Sequence, residues 1–207
     1  PAVLRSIVES DRIKARLPQP ESRGTSQVLL GNASACLTAA RDAHSRGFFV
    51  EYARHISDQP VGAGAAELVA RLMELYAREG GRGVCLLSGG EFSCPVRGGG
   101  TGGRSSETAL RVASEFDEKA MLGRGAGAGP GHLVALCAGT DGIDGNSPAA
   151  GALADETSVT RARSLGLDAR KYLDESDAYT LFERLGDAVV TGPTGTNVRD
   201  VRILLAV

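Results

Sequence analysis

Tryptophan is absent from this chain of 207 residues and aromatic residues make up only 4%, so any core must be built from Leu, Val and Ala. No apolar run approaches the roughly 18 residues that a helical membrane span requires. Charge of one sign is missing too. Lysine and arginine number 23 against 25 acids, a net charge of −2 with both signs interspersed, which excludes a basic stripe for nucleic acid and a polybasic membrane tether. Cysteine is scarce, and Cys36, Cys85, Cys94 and Cys137 lie far apart with no C-x-x-C spacing. Cys85 and Cys137 fall inside apolar runs, so the reading is buried free thiols in a reducing cytosol, not disulfides or a zinc site. The opening Pro1–Ala15 lacks the charged-then-apolar order of a signal peptide, and a first residue other than Met points to a chain cut from something longer.

What is present in quantity is glycine, with 28 residues gathered in clusters. Clustering of this kind points to tight turns where the backbone approaches a ligand. Between the clusters the periodicity alternates. Pro1–Ala15 carries a helical pattern ended by Pro18 and Pro20, and with the polar stretch to Ser26 it forms a leading segment, residues 1–26. Strands are expected at Gln27–Leu30, Phe48–Tyr52, Gly83–Leu87, Phe92–Arg97, His132–Ala138, Ala188–Val190 and Val201–Val207. Helices are expected at Ala33–Ser45, Ala65–Arg78, Arg104–Phe116, Ser158–Leu165, Ala169–Leu173 and Ala178–Leu185. A flexible loop, Gly123–Gly131, precedes the strand at His132. This alternation predicts one α/β layered domain over 27–207, with a mainly parallel sheet, helices on both faces and glycine-rich loops at one edge.

Four of the glycine turns follow expected strands, where open α/β sheets bind their ligands. Ser88-Gly89-Gly90-Glu91 offers backbone N–H groups beside a carboxylate. Arg97 through Glu107 sets glycines at 98, 100 and 103 between two guanidiniums and leads into a helix. With that helix start, Arg97, Gly103 and Arg104 make a candidate anion site. The glycines also satisfy G-x-G-x-x-G. The dinucleotide fingerprint, however, requires an acidic residue about 20 positions on, and here the next strand ends almost twice as far away, at Asp141. In Gly139–Gly145, Asp141 and Asp144 could hold a divalent cation or take a proton from a hydroxyl. Asp144 could instead bond to backbone N–H groups and stiffen the turn. Thr191–Asn197 supplies neutral donors in Thr194, Thr196 and Asn197, but no lysine follows its glycines, so it is not a Walker loop. His44, His55 and His132 fall away from these turns and suggest no catalytic triad.

Taken together, Ser88–Glu91, Gly102-Gly103-Arg104 with Glu107, Gly139–Gly145, Ala149-Ala150-Gly151-Ala152 and Thr191–Val198 resemble the successive signatures of the MOFRL domain. That domain is the C-terminal half of class II glycerate 2-kinases, many of which are also labelled hydroxypyruvate reductase. The strings GTDGIDG and TGPTGTNV make the resemblance specific over about residues 85–207. It implies a kinase that uses ATP and Mg²⁺ to phosphorylate the 2-hydroxyl of D-glycerate or a similar hydroxy acid. It also implies a partner: a Rossmann-like N-terminal domain that this chain lacks, carrying a catalytic lysine. Arg104 is then the catalytic cation, with Asp141 beside it, and the expected location is cytoplasmic. The alternatives are an NAD(P)-dependent hydroxypyruvate reductase, resting on Gly98–Gly103, and a ligand-binding lobe without catalysis. The chain departs from the family at Ser105-Ser106, at Ser176 and Ala178, and at Pro95.

Overall fold

The computed structural model describes residue 27 and residues 29–123 and 129–207. The helix expected over Pro1–Ala15, its linker and the middle of the Gly123–Gly131 loop lie outside these residues. In chain order the elements are α1 (Asn32–Ser45), β1 (Phe49–Tyr52), α2 (Val61–Arg78), β2 (Val84–Gly90), α3 (Arg104–Gly123), β3 (Leu133–Gly139) and β4 (Gly151–Asp155). These are followed by α4 (Ser158–Ser164), α5 (Ala169–Asp174), α6 (Ala178–Leu185), β5 (Ala188–Val189) and β6 (Asp200–Ala206). Asp168 caps α5 by accepting from the Arg170 N–H, and α6 ends on left-handed Gly186.

All six strands form one sheet in the order β1-β2-β6-β3-β4-β5. The sheet is mixed and mostly antiparallel, which corrects the expectation of a mainly parallel one. Only β1 and β2 pair in parallel. The cause is β6. Strands β2 and β3 run the same way, joined through α3, but β6 inserts between them antiparallel to both. Strand β4 then returns along β3 without a crossover helix, and β5 pairs antiparallel with β4.

Alternation along the strands separates two layers. Val84 and Leu86 of β2, Leu204 and Ala206 of β6 and Ala135 and Cys137 of β3 face the main core. Leu68, Leu72 and Leu75 of α2 and Leu110, Ala113 and Phe116 of α3 close it. On the opposite face α1 packs on β1, β2 and β6, near Cys85 and Leu87. All four cysteines are free, and Cys36, Cys85 and Cys137 are buried.

Three local expectations change. Residues 27, 29 and 30 join no ladder, and Leu29 and Leu30 are exposed. Phe92–Arg97 is irregular apart from a bridge between Ser93 and Pro60, because Pro95 has no N–H to donate. Strand β4 was unexpected, since Gly-Ala-Leu-Ala-Asp has little strand character. Gly151 is required there, as a Cβ would lie 1.9 Å from the Cys137 carbonyl oxygen.

Candidate active site

The register of the sheet brings one row of residues to its end: Gly90 of β2, Asp200 of β6 and Gly139 of β3. Asp200 is buried, and its carboxylate receives the Arg104 Nε–H at 2.6 Å. Burial pushes the Asp200 carboxyl above the ordinary range, and the ion pair with Arg104 opposes that shift. The second arm of the guanidinium reaches Glu91, at 2.8 Å from Oε1. Arg104 therefore starts α3 clamped between a carboxylate from the sheet and one from the loop after β2. The sequence reading missed Asp200. Its signal was an acid on the inward-facing register of the alternating run Asp-Val-Arg-Ile-Leu-Leu-Ala.

The N-terminus of α3 is already filled. Oδ1 of Asp144 accepts the Ser105 N–H at 2.8 Å, and Oδ2 accepts those of Ser106 at 2.9 Å and Gly103 at 3.1 Å. An internal carboxylate thus sits where a bound phosphate would. Burial pushes the Asp144 carboxyl up, while the hydrogen bonds from Ser106, Ser105 and Gly103 hold it back. Glycine at 103 makes room for this, because a Cβ would come within 2.4 Å of Asp144 Oδ1.

Several other N–H groups of the run are committed as well. The Arg97 N–H donates to Ser176 Oγ, Thr101 N–H to Asp177 Oδ1 and Gly102 N–H to Asn146 Oδ1. Gly100 N–H donates to the Glu175 carbonyl. The Arg97 guanidinium turns towards Glu107, 3.3 Å away, and that buried carboxylate also takes two N–H groups of Arg111. Ser88, Gly89 and Gly90 are paired in the β2–β6 ladder. At Gly89 the close approach comes from the protein itself: a Cβ would lie 1.7 Å from Asn32 Oδ1. The same Asn32 donates to the Val198 and Asp200 carbonyls, both at 2.8 Å, and so anchors the start of β6.

Asp141 is differently placed. It is partly exposed, accepts the Ile143 N–H on Oδ1 at 3.1 Å, and has only a long 3.4 Å contact from Asn197 Nδ2 on Oδ2. The threonine loop is stitched to its backbone: Thr194 N–H donates to the Asp141 carbonyl and Thr194 Oγ1–H to that of Thr140. Thr196 and Asn197 are exposed on this loop.

Arg104, Asp141, Asp144, Gly103, Glu107 and Asp200 line a common cavity of about 550 Å³, walled on its apolar side by Phe92, Val96 and Ile143. Glu91, Arg97, Thr194, Thr196 and Asn197 lie outside that lining. Among the lining side chains Arg104 is one cation against four acids. Cys94 also faces the cavity and donates its thiol to Glu107 Oε2 at 3.1 Å. Burial and that carboxylate push its pKa up to about 12, so it serves as a donor and not as a nucleophile. Among the described residues no three His, Cys, Asp or Glu side chains come together as a metal-binding group. No described helix is long and apolar enough to cross a membrane.

Known proteins resemble this chain in sequence and in fold. A glycerate kinase of Danio rerio is 40% identical over 131 residues, which is 62% of this chain and 24% of that protein. An Agrobacterium vitis protein provisionally named hydroxypyruvate reductase is 43% identical over 122 residues, 58% of this chain and 29% of its own length. The crystal structure of a glycerate kinase from Thermotoga maritima superposes with a TM-score of 0.77 at 30% identity, over 92% of this chain and 44% of that one. The chain thus spans less than half the length of these relatives. The MOFRL family model matches residues 84–200, the stretch that holds β2, Arg104, both aspartates of the third glycine turn and Asp200. This chain belongs to the MOFRL family.

Proposed function

We infer that this chain is part of an ATP-dependent kinase that phosphorylates the 2-hydroxyl of D-glycerate or a similar hydroxy acid, with residues 27–207 as its MOFRL domain. A Rossmann-like domain outside the chain completes the site. The observation that carries the reading is Arg104, clamped by Asp200 at the end of the sheet and facing a cavity it shares with Asp141. Phosphoryl transfer asks for positioning and charge neutralisation more than for covalent chemistry. In this reading the glycine-rich loops gather at that one edge. Asp141 takes the proton as the hydroxyl oxygen attacks the γ-phosphorus and the bond to ADP breaks. Arg104 meets the transferring phosphoryl or the substrate carboxylate. Thr196 and Asn197 offer neutral donors to phosphate oxygens, while Thr194, with its N–H and hydroxyl donated to Asp141 and Thr140, holds that loop in place.

Mg²⁺ fits this donor set in a limited way. Magnesium is held by one or two carboxylates together with substrate phosphates, and Asp141 has a carboxylate oxygen almost free of protein donors. Asp144, with both oxygens taken by backbone N–H groups, is a poorer ligand. When bound, the ion would neutralise charge on the phosphates. An excess of acids over cations in the cavity also favours a second cation from outside the chain, the role of the lysine in the missing domain. A cytoplasmic site of action agrees with four reduced thiols.

The reductase alternative loses its support in the glycine run. A pyrophosphate would need the α3 N-terminus and the N–H groups before it, and these are donated to Asp144, Asn146, Asp177 and Glu175. The test is made in the whole enzyme. Glycerate should be consumed with ATP and not with NAD(P)⁺, and Arg104→Ala should lower kcat by about 100-fold or more with the fold intact. Hydride transfer in place of ADP release would overturn the assignment.

A further inference from the structure

Arg104 is over-supplied with carboxylates. Its two partners sum to two negative charges against one positive, so a ligand anion gains little net attraction from the guanidinium while both stay in place. The partners differ in how firmly they are held. The Asp200 side chain is 8% exposed, lies on the inward face of β6 within the ladder, and takes the Nε–H. The Glu91 side chain is 42% exposed and takes an outer N–H. It follows Gly90, whose φ of +101° ends the strand, and its own N–H makes only a 3.4 Å contact with exposed Asp58.

We propose that Glu91 is a resident counter-anion: it occupies the anion seat on Arg104 and is displaced by the phosphoryl or carboxylate group that binds there. Asp200 is the permanent anchor that keeps the guanidinium aimed while Glu91 leaves. Half-exposed ion pairs are weak and screened by salt, so displacement is cheap. Buried Asp200 has no such exit. Glu91 also sets a threshold for ligands. A neutral molecule cannot dislodge a carboxylate, whereas a dianionic phosphoryl group competes well for the fork. The inference rests on the site reading above, but not on ATP or glycerate being the substrates.

The two possible roles of Glu91 have opposite signatures. A fixed orienting partner would make its loss weaken anion binding, and a displaceable competitor would make its loss strengthen binding. The experiment titrates the 207-residue chain with inorganic phosphate at constant ionic strength, reading the Arg104 Nε–Hε signal by NMR, with Arg104→Ala identifying that signal. Glu91→Gln should tighten phosphate binding about three- to tenfold and flatten its salt dependence. Glu91→Asp, whose shorter arm cannot span the gap, should behave in the same way and covers the case in which the glutamine variant folds poorly. Equal or weaker binding in these variants, or no phosphate binding at all while the Arg104 signal stays sharp, would overturn the proposal. Turnover with ATP is measured separately in the whole enzyme, so either reading can fail alone.

Discussion

Asp144→Ala tests the claim that α3 is capped by its own protein and not by a ligand. The alanine removes both oxygens that accept the N–H groups of Gly103, Ser105 and Ser106, at a position only 3% exposed. A lost helix cap typically costs about 1 kcal/mol, and the attraction of a partly buried charge to a helix N-terminus adds up to about 2 kcal/mol. Each buried N–H left without a partner costs a further ~1–3 kcal/mol unless water reaches it, and the cavity beside Asp144 admits some. These terms overlap, so the expected loss is about 4 kcal/mol. For a domain of this size that lowers Tm by roughly 8–16 °C. Asp144→Asn keeps one acceptor and should lose about half as much. Burial raises the Asp144 carboxyl in the fold, so its proton-linked stability is complete below the unfolded carboxylate value and is lost as pH rises through the folded one. The asparagine variant lacks that slope. Thermal melts from pH 4 upward, with amide exchange at Ser105 and Ser106, make the measurement. An alanine variant within about 3 °C of wild type, or exchange at those amides no faster than before, would refute the capping argument.

Gly89→Ala should destabilise by about 2–4 kcal/mol, because its Cβ collides with Asn32, and a urea melt of the variant checks this. At Arg202 the guanidinium is 2% exposed, stacks 3.6 Å from the centre of the Phe92 ring and leaves Nε without a hydrogen-bond partner. Arg202→Met should therefore stay within about 1–2 kcal/mol of wild type, while Arg202→Ala opens a cavity and costs about 3 kcal/mol or more; equal losses in denaturant melts would contradict this. Burial pushes the Cys85 thiol to about 11 and the Cys137 thiol to about 12. A disulfide-exchange reagent at pH 8 should then label the folded chain slowly and all four thiols at once on unfolding, and rapid labelling of Cys94 in the fold would show that its thiol is not held by Glu107.

Helices and most strands could be read from periodicity, because amphipathic stretches such as Ala65–Arg78 and β6 advertise their buried faces locally. The neighbour of each strand could not. That β6 lies between β2 and β3 depends on pairing with partners distant in sequence, such as Gly90 with Asp200 and Gly139 with Asp200, and nothing in any of these segments states it. Strand β4 escaped for a different reason: its alanines and glycine are chosen by the closeness of β3, not by strand propensity. The glycine clusters were read as places where a ligand meets the backbone. At Gly89, Gly100 and Gly103 the groups that come close are Asn32, Glu175 with Asp177, and Asp144, all from distant parts of the same chain. Arg104 was legible as a charge at a helix start. Its anchor Asp200 was passed over, since an acid at the start of an apolar strand ordinarily points to solvent, although alternation with Arg202, Leu204 and Ala206 set it on the inward register.

The central place of β6 has a consequence for how the chain acquires its structure. Residues 200–206 are last among the described strands, yet they hold the two halves of the sheet together. Until they arrive, β1–β2 and β3–β4–β5 are separate pieces with open inner edges, each a template for mispairing. Closing the gap joins segments far apart in sequence, which slows folding. Emergence from the ribosome therefore leaves the sheet without its middle until β6 appears, and chaperone dependence during synthesis should far exceed what the finished fold's stability would suggest.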